Sequence, residues 1–286
     1  MAASKRGTGR RSARASMSLL LHISDTHFGT ERPQVVAALV ALARERRPDL
    51  LVLSGDLTQR AQPAEFAAAR AFCQALGVPR MLVLPGNHDI PLLDLLARAL
   101  RPYARYMAAF GPRLEPVLDM DGFLVVGVNT TRAARHKNGE VSAEQVARVA
   151  TQLRAARGNQ LRIVVTHQPA EVLRPDDAHD RLRGAEAALQ AWSQAGADLV
   201  LGGHIHLPYV LELAARPQPT PRPMWCVQAG TAVSARLRHD TSNSVNLIAW
   251  EPQPGQPRQC RLERCDFDDA QQRFVAAGTR MLGLAA

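Results

Sequence analysis

The regular alternation of short apolar runs with longer segments of helical periodicity is the feature that most constrains the fold of this chain. The apolar runs predict buried strands at 18–24, 50–53, 81–84, 122–128, 161–166 and 198–201. The segments between them predict helices at 35–46, 65–76, 92–110 (with a break at Pro102), 143–156 and 185–195. Such strand–helix alternation is typical of a layered α/β domain.

The last third of the chain has a different pattern. Four prolines between residues 217 and 223 predict a loop, and the strand-like runs at 224–228, 244–250 and 258–266 are separated by proline and glycine. These runs predict antiparallel strands, followed by a short helix from Asp268. Since we find neither an internal repeat nor a linker, we expect a single domain over residues 17–286, in which two sheets pack between helices.

Much of the formal net charge of +9 comes from residues 1–16, which contain five Lys and Arg residues and no acid. This segment is poor in apolar residues and lacks the hydrophobic stretch of a secretory signal. It is either a disordered basic tail, with a transit peptide as a weaker alternative, or an upstream extension of the reading frame, because Met17 directly precedes the first apolar run. The remaining charge of +4 gives little support to a nucleic-acid partner.

Composition excludes several classes of protein. Hydrophobic residues make up 46% and charged residues 21% of the chain, which is ordinary for a globular protein and excludes a disordered chain, a collagen and a coiled coil. The mean hydropathy is −0.16, and no apolar run approaches the ~20 residues that span a bilayer. The four cysteines form no CxxC pair and follow no secretion signal, so we expect reduced thiols and a cytoplasmic protein.

Polar side chains of metal-binding type directly follow five of the predicted strands. They are Asp25 and His27, Asp56, Asn87 with His88 and Asp89, His167, and the pair His204 and His206. Because ligands bind at the carboxyl ends of strands in open α/β sheets, we expect these side chains to meet in one crevice. Carboxylates, an amide oxygen and imidazoles suit Mn²⁺, Fe²⁺ or Zn²⁺, and the absence of cysteine argues against a structural zinc site. The set is too large for one ion and suits two divalent ions that share a carboxylate.

The individual motifs differ in specificity. D-x-H and GD are common in turns, whereas GNHD and GHxH are more specific, and the ordered set after strands is unlike a chance arrangement. His22 lies inside the first strand, which predicts a core or supporting role. For His136, His179 and His239, which have no partner pattern, we expect surface positions.

The ordered set D-x-H, GD, GNHD, H and GHxH resembles the calcineurin-like metallophosphoesterase superfamily. The strings HISDTHFG, LSGDLT and LPGNHD are most similar to its class III cyclic-nucleotide phosphodiesterase branch. The resemblance runs from about Leu19 to His206 and more loosely through residues 228–231. It implies an α/β fold: a four-layer αββα sandwich of two mixed β-sheets flanked by helices.

The resemblance also implies a two-metal site. Asp25, His27 and His206 would hold the first ion, Asn87, His167 and His204 the second, and Asp56 would bridge them. A hydroxide between the ions would attack phosphorus directly, with no covalent enzyme intermediate. The predicted catalytic residues are His88, which would stabilise the phosphate or protonate the leaving oxygen, and Asp89, which would orient His88 or a ligand.

One position departs from the branch. Its members often have a second histidine after the fourth-motif ligand, and this chain has Gln168 there, which cannot contact phosphate as a cation. The segments 129–139 and 236–238 contain arginines that could line the rim of a substrate pocket, although a solvated basic loop is an equal alternative for the first.

The leading hypothesis is therefore a dimetal phosphodiesterase that acts on a small phosphodiester, with a 3′,5′-cyclic nucleotide as one candidate. The alternatives within the superfamily are a phosphomonoesterase, a pyrophosphatase and a nuclease. A basic nucleic-acid-binding protein with a vestigial site is a weaker alternative that rests on net charge alone. We expect a small phosphoester substrate as partner, no membrane association, and a homo-oligomer as an option offered by the strands of the last third.

Overall fold

Twelve strands and six α-helices form the described part of the chain, which in this computed structural model comprises residues 17–135, 137–238, 241–253 and 255–285. The basic segment 1–16, His136 and His239 lie outside it. The strands are β1 (Ser18–Ile23), β2 (Leu50–Leu53), β3 (Arg80–Val83), β4 (Val117–Asp119), β5 (Phe123–Gly127), β6 (Leu161–Val165), β7 (Leu199–Gly202), β8 (Tyr209–Glu212), β9 (Trp225–Gln228), β10 (Ser244–Trp250), β11 (Gln259–Asp268) and β12 (Arg273–Gly283). The helices are α1 (Pro33–Arg46), α2 (Pro63–Ala75), α3 (Leu95–Leu100), α4 (Ala104–Phe110), α5 (Ala143–Arg154) and α6 (Ala185–Gln194).

The strands form two mixed six-stranded sheets. The first has the order β12-β11-β10-β1-β2-β3, and the second has the order β4-β5-β6-β7-β9-β8. In the first sheet β1, β2 and β3 are parallel, and β1 pairs antiparallel with β10. In the second sheet β5, β6, β7 and β9 are parallel. The carboxyl ends of the parallel strands therefore supply the loops between strand and helix.

Three apolar clusters separate four layers. Side chains alternate along each strand, so Leu20 of β1 packs between the two sheets while the next residue, Leu21, packs under the helices. Helices α1 and α2 cover the outer face of the first sheet, and α5 and α6 cover that of the second. Because the central strands are buried on both faces, they read as continuous apolar runs. The predicted αββα sandwich of two mixed sheets is confirmed.

The end of the chain differs from the prediction. The helix expected from Asp268 is wrong: the carboxylate of Asp268 accepts hydrogen bonds from the Ala270 and Gln271 amides, and the chain returns as β12. Alanines and glutamines in this segment favour a helix locally, but ten-residue antiparallel pairing with β11 outweighs that preference.

The antiparallel prediction for residues 224–228 is also only half right. Strand β9 pairs antiparallel with β8 on one side, but parallel with β7 on the other. The two short strands β4 and β8 were not predicted. The predicted break at Pro102 is confirmed, since it separates α3 from α4.

The cysteines behave as predicted: all four are free and buried. Among the described helices, none combines the length and the apolar content that a bilayer span requires.

Candidate metal centre

Backbone hydrogen bonds hold the strand-end loops against one another. The amide of Asp25 donates to the Gly55 carbonyl over 3.0 Å, and the amide of His27 donates to the Asp56 carbonyl over 3.0 Å, which joins the loops after β1 and β2. The Gly203 amide donates to the His167 carbonyl over 2.9 Å, which joins the loops after β7 and β6. These bonds bring the loops that follow the predicted strands together at one crevice, as the sequence predicts.

One cluster consists of Asp25, His27 and His206. The Nε2 atoms of the two imidazoles lie 3.0 Å apart, and Nε2 of His206 lies 3.3 Å from Oδ1 of Asp25. Asp25 and His27 are fully buried. Three ligand-type atoms thus converge on one point of the crevice.

A second cluster forms around Asp56, His167 and His204. Nε2 of His167 lies 3.1 Å from Oδ1 of Asn87 and 3.3 Å from Oδ1 of Asp56. The other carboxylate oxygen of Asp56 lies 3.7 Å from Nε2 of His27, which belongs to the first cluster. Asp56 therefore stands between the two clusters, with one oxygen facing each.

Two observations indicate that the clusters fit divalent cations. Oδ1 of Asp25 and Nδ1 of His204 are buried and make no hydrogen bond within the described residues, although buried polar atoms are normally paired. The remaining ring nitrogens face backbone carbonyls: Nδ1 of His167 donates to Ser54 over 2.9 Å, and Nδ1 of His206 donates to Arg236 over 2.7 Å. Such bonds leave Nε2 of each ring free to coordinate.

The protonation states of Asp56, Asp25 and His27 suit metal binding. Burial by itself would raise the pKa of Asp56, but the neighbouring His167 and His88 outweigh it and hold that pKa well below its usual range. Burial likewise opposes the charge of Asp25, but His206 keeps its pKa low. Burial lowers the pKa of His27 to about 3, so this imidazole is neutral at pH 7. The crevice therefore presents anionic carboxylates and a neutral imidazole, which are the forms that bind metals.

Backbone strain marks the same residues. Within the described chain, eight non-glycine residues have a positive φ, and five of them are Asp25, His27, Asp56, His204 and His206. Non-glycine residues rarely adopt this conformation, and strain of this kind concentrates at functional sites.

Gly55 explains why the second loop can approach so closely. Its φ is +110°, and a β-carbon there would lie 2.4 Å from Nδ1 of His167. Only glycine therefore fits between Asp56 and the ring of His167.

Asp89 fixes two loops rather than facing the clusters. Its oxygens accept hydrogen bonds from the amides of Leu57, Thr58 and Gly86 and from the Thr58 hydroxyl, over 2.8–3.1 Å. Burial, together with the charge of Asp56, raises the pKa of Asp89 to about 7. The four donors occupy both oxygens, so Asp89 ties the loop of Asp56 to the loop of Asn87.

His88 is partly exposed and lines a cavity of about 620 Å³. Its amide donates to Oδ1 of Asp56 over 2.8 Å, and Nδ1 lies 2.9 Å from the Gln59 carbonyl. Since a carbonyl can only accept, Nδ1 carries the proton. Nε2 lies 3.1 Å from Nη1 of Arg236.

The other sequence candidates divide into those near the centre and those away from it. Gln168 is buried and bonds Thr130 and the Lys137 carbonyl, so its amide is engaged away from the clusters. Arg238 pairs with Asp177, whereas Arg236 reaches the centre itself.

Two more histidines outside the motifs match their predicted positions. His22 is buried, with Nε2 3.0 Å from the Ser54 hydroxyl, as expected of a supporting residue. His179 is exposed.

Sequence reasoning missed Asp180. Its Oδ1 lies 3.4 Å from Nε2 of His204, which leaves Nδ1 of that ring to face the second cluster. Asp180 lies in a 3₁₀ turn (Pro175–Asp180) and follows no strand, so the strand-end pattern contains no signal for it.

A family model described as calcineurin-like phosphoesterase matches residues 19–208. The chain is 30% identical over 164 residues to the glycerophosphodiester phosphodiesterase GpdQ of Enterobacter lignolyticus, covering 53% of this chain and 56% of that protein. It is 22% identical over 286 residues to a probable cyclic nucleotide phosphodiesterase of Rhodococcus erythropolis, covering 92% of each. It is 27% identical over 204 residues to the cAMP/cGMP dual specificity phosphodiesterase MT0825 of Mycobacterium tuberculosis, covering 66% of this chain and 61% of that protein.

Solved structures share the fold. A purple acid phosphatase, PPD1, from yellow lupin superposes with a TM-score of 0.71 at 12% identity, covering 94% of this chain and 54% of that one. A dimetal phosphatase from Danio rerio superposes with a TM-score of 0.64 at 12% identity, covering 94% of this chain and 99% of that one. At this identity the likeness extends to the sandwich architecture.

Proposed function

The chain belongs to the calcineurin-like phosphoesterase family, and on this premise we propose that it is a metal-dependent phosphodiesterase acting on a small phosphodiester. The observation that carries the proposal is the position of Asp56, whose two oxygens face two separate clusters of ligand-type side chains. The three relatives described above are all named as phosphodiesterases, two of them for cyclic nucleotides. A 3′,5′-cyclic nucleotide is therefore the first substrate class to try.

We assign the two sets of ligands as follows. Asp25, His27 and His206 would hold one ion, Asn87, His167 and His204 would hold the other, and Asp56 would serve both. When bound, two such ions supply the Lewis acidity that activates water and neutralises the charge of a phosphate. Mn²⁺, Fe²⁺ and Zn²⁺ all suit this mixture of oxygen and nitrogen donors.

The chain itself orients the reacting groups. Ser54 and Arg236 accept hydrogen bonds from the rear nitrogens of His167 and His206, so neither ring can rotate without losing a bond. His88, on the cavity side, contacts the substrate, and it stabilises the phosphate or protonates the leaving oxygen when Nε2 carries a proton. Asp89 is a positioning residue, because it holds the loops that carry Asp56 and His88.

We also propose a cytoplasmic location. Cys73, Cys226, Cys260 and Cys265 are free and buried, which is the usual state of thiols in a reducing compartment.

The test uses the purified chain with Mn²⁺, bis(p-nitrophenyl) phosphate and 3′,5′-cyclic nucleotides, with p-nitrophenyl phosphate for comparison. We expect diester hydrolysis with two metal ions per chain. Asp56→Asn should lose bound metal and reduce turnover by about a thousandfold, since the shared ligand is lost. Asp49→Asn is the control, because that exposed carboxylate accepts the Leu19 amide at the far end of the strands. Wild-type turnover in Asp56→Asn would contradict the proposal.

A further inference from the structure

The guanidinium of Arg236 lies at the centre of the crevice. Its Nη1 is 3.1 Å from Nε2 of His88, 3.1 Å from Oε1 of Gln59 and 3.3 Å from Nδ1 of His27. Arginine stays charged at any physiological pH and can only donate. A permanently charged guanidinium therefore lies beside His88, the residue that we propose contacts the substrate.

The donors of Arg236 are only partly used. Nη1 has two hydrogens, for which Oε1 of Gln59 and Nε2 of His88 are acceptors, while Nδ1 of His88 donates to the Gln59 carbonyl. Within the described residues, no hydrogen bond engages Nη2 or Nε of Arg236. A planar guanidinium with free donors beside a metal centre matches the geometry of a phosphate anion.

The main chain of Arg236 is fixed to the site. Its carbonyl accepts bonds from Nδ1 of His206 and from the Thr231 hydroxyl over 2.7 and 3.0 Å, and its amide donates to the Ser234 hydroxyl over 3.2 Å. The side chain is therefore anchored close to the centre before any substrate arrives, which reduces the entropy lost on binding.

Neighbouring polar groups are engaged elsewhere. Arg238 pairs with Asp177, Arg105 pairs with Asp94, and the amide of Gln168 bonds away from the clusters. The cationic contact that Gln168 cannot supply is thus available from Arg236.

We propose that Arg236 binds a non-bridging oxygen of the substrate phosphate and, in turning to it, exchanges Nε2 of His88 for the phosphate oxygen as its acceptor. The proposal rests on the proposed phosphodiesterase function and adds a substrate-binding residue to it. No covalent bond changes in this step, since one hydrogen-bond acceptor replaces another.

The test compares Arg236→Met and Arg236→Lys with Arg157→Met, a matched loss of charge at an exposed arginine that pairs with exposed Asp119 near the amino end of β6. Binding of inorganic phosphate to the Mn²⁺-loaded protein is measured by calorimetry, beside metal content and the kcat and KM for bis(p-nitrophenyl) phosphate. A charged hydrogen bond is at stake, so Arg236→Met should weaken phosphate binding and raise KM by about tenfold to a hundredfold. Lysine should restore part of the affinity, and Arg157→Met should change neither value.

Two results overturn the proposal: unchanged phosphate binding in Arg236→Met, or loss of metal from this variant, which would mean that the Arg236 side chain acts only through its contact with His27. Failure of the phosphodiesterase function itself is distinguishable, because the wild type would then lack turnover whatever the variants do, and the assignment of Arg236 would fall with it.

A different observation concerns the segment that contains α3. Five leucines there are unusually exposed: Leu92 (46%), Leu93 (85%), Leu95 (72%), Leu96 (70%) and Leu100 (70%). Single exposed leucines are ordinary, but a contiguous apolar patch indicates a binding surface.

Polar contacts, rather than a buried core, hold this segment in shape. Oδ1 of Asp94 accepts the Ala97 amide over 3.0 Å, and Oδ2 accepts Arg105 over 2.7 Å. Arg98 donates to the carbonyls of Pro91 and Arg135. The leucines are therefore exposed on a segment whose backbone is held by the hydrogen bonds of Asp94 and Arg98.

The patch is continuous with the site. The 620 Å³ cavity that His88 and Asn87 line also has Leu92 and Leu93 in its wall, with Arg60 and Arg105 beside them. We infer that the substrate carries an alkyl or acyl arm next to its phosphate, which lies against Leu92 and Leu93 while Arg60 attracts the anion. This inference rests on the proposed phosphodiesterase function, and it favours an alkyl or acyl phosphodiester over a cyclic nucleotide as the substrate class.

The test is a series of 4-nitrophenyl alkyl phosphates, from methyl to octyl, with the wild type, Leu92→Ser/Leu93→Ser and the control Leu100→Ser, which alters an equally exposed leucine outside the cavity. In the wild type, kcat/KM should rise by about two- to fourfold per methylene over the first few carbons. The double variant should hydrolyse the methyl ester normally and lose this rise, and the control should keep it.

A flat series in the wild type, or an equal loss in the control, overturns the inference. So does a dimer that only the double variant dissociates, with an unchanged chain-length profile, because the patch would then be a contact between two copies. Hydrolysis of the methyl ester reports on the phosphodiesterase function independently.

Discussion

The backbone amide of His204 donates to Oδ2 of Asp25 over 2.9 Å, which joins the first and last motifs of the chain across 179 residues. Asp25 follows β1 of the first sheet and His204 follows β7 of the second, so the bond ties both sheets together at the crevice. It occupies one carboxylate oxygen and leaves Oδ1 without a hydrogen bond in the described structure. Oδ2 of Asp25 thus joins the two loops, and Oδ1 is left to bind a cation.

This division predicts different results for two substitutions of Asp25. In Asp25→Asn the amide oxygen still accepts the His204 amide, but an NH₂ group replaces the free oxygen and cannot bind a cation. Mn²⁺ should raise the unfolding temperature of the wild type, because it binds the folded state, and should raise that of the variant by less, because only the second set of ligands is then intact. Calorimetry with and without Mn²⁺ checks this.

Asp25→Ala provides the comparison in chelator. It should unfold at a lower temperature than Asp25→Asn, because the His204 amide is then buried without an acceptor, at a cost of about 1–3 kcal/mol. Equal stability of the two variants would contradict the structural task of Oδ2.

Gly55 and Gly77 form a matched pair, since both have a positive φ. A β-carbon at Gly77 meets nothing within 4 Å, whereas one at Gly55 lies 2.4 Å from His167. Gly77→Ala should therefore cost about 1 kcal/mol and leave metal content unchanged. Gly55→Ala should displace His167 from the Ser54 carbonyl and lose metal, as measured by elemental analysis of the purified variants. Full metal content in Gly55→Ala would contradict this prediction, because it would show that the loop can shift without displacing His167.

The sequence was sufficient to predict which residues meet, because apolar runs locate the strands and parallel strands share one edge. Asp25 and His204 were therefore predictable as neighbours. Their left-handed backbone was not, since nothing in D-x-H or GHxH indicates a positive φ. The contacts of Asp180 and Arg236 depend on loop conformations that only tertiary packing sets. The prediction of a helix in place of β12 failed for a related reason, because long-range pairing with β11 outweighs a local helical preference.

The thiols should be inert in the native state. Burial raises the pKa of Cys73, Cys260 and Cys265 to about 12 and that of Cys226 to about 11. Since the thiolate is the nucleophile, its fraction at pH 8 is very small. Iodoacetamide at pH 8 should label none of the four within the time that labels a denatured control completely, as read by mass spectrometry of the intact chain. Rapid labelling of native protein would contradict the buried positions.

The metal-free protein should lose stability as the pH rises from about 7 to 9. Burial disfavours a charged His167, but the Asp56 carboxylate outweighs it and raises the pKa of His167 to about 9, against 6.5 for an ordinary histidine. The folded state therefore retains a proton that the unfolded state has released, and this contribution to stability disappears as the pH passes through 9. The pKa values of His22 and His27, lowered to about 3, affect stability only below about pH 6.5. Thermal unfolding in EDTA at pH 7, 8 and 9 measures the effect.

Bound metal should reverse this trend, because Nε2 of His167 must release its proton to coordinate, so metal affinity rises over the same range. His167→Asn is the control in EDTA, and it should flatten the dependence between pH 7 and 9. A wild type whose metal-free unfolding temperature is constant over this range would contradict the pairing of His167 with Asp56. A decline that persists in His167→Asn would assign the proton to another group, of which His206 beside Asp25 is the nearest candidate, since its pKa is also raised.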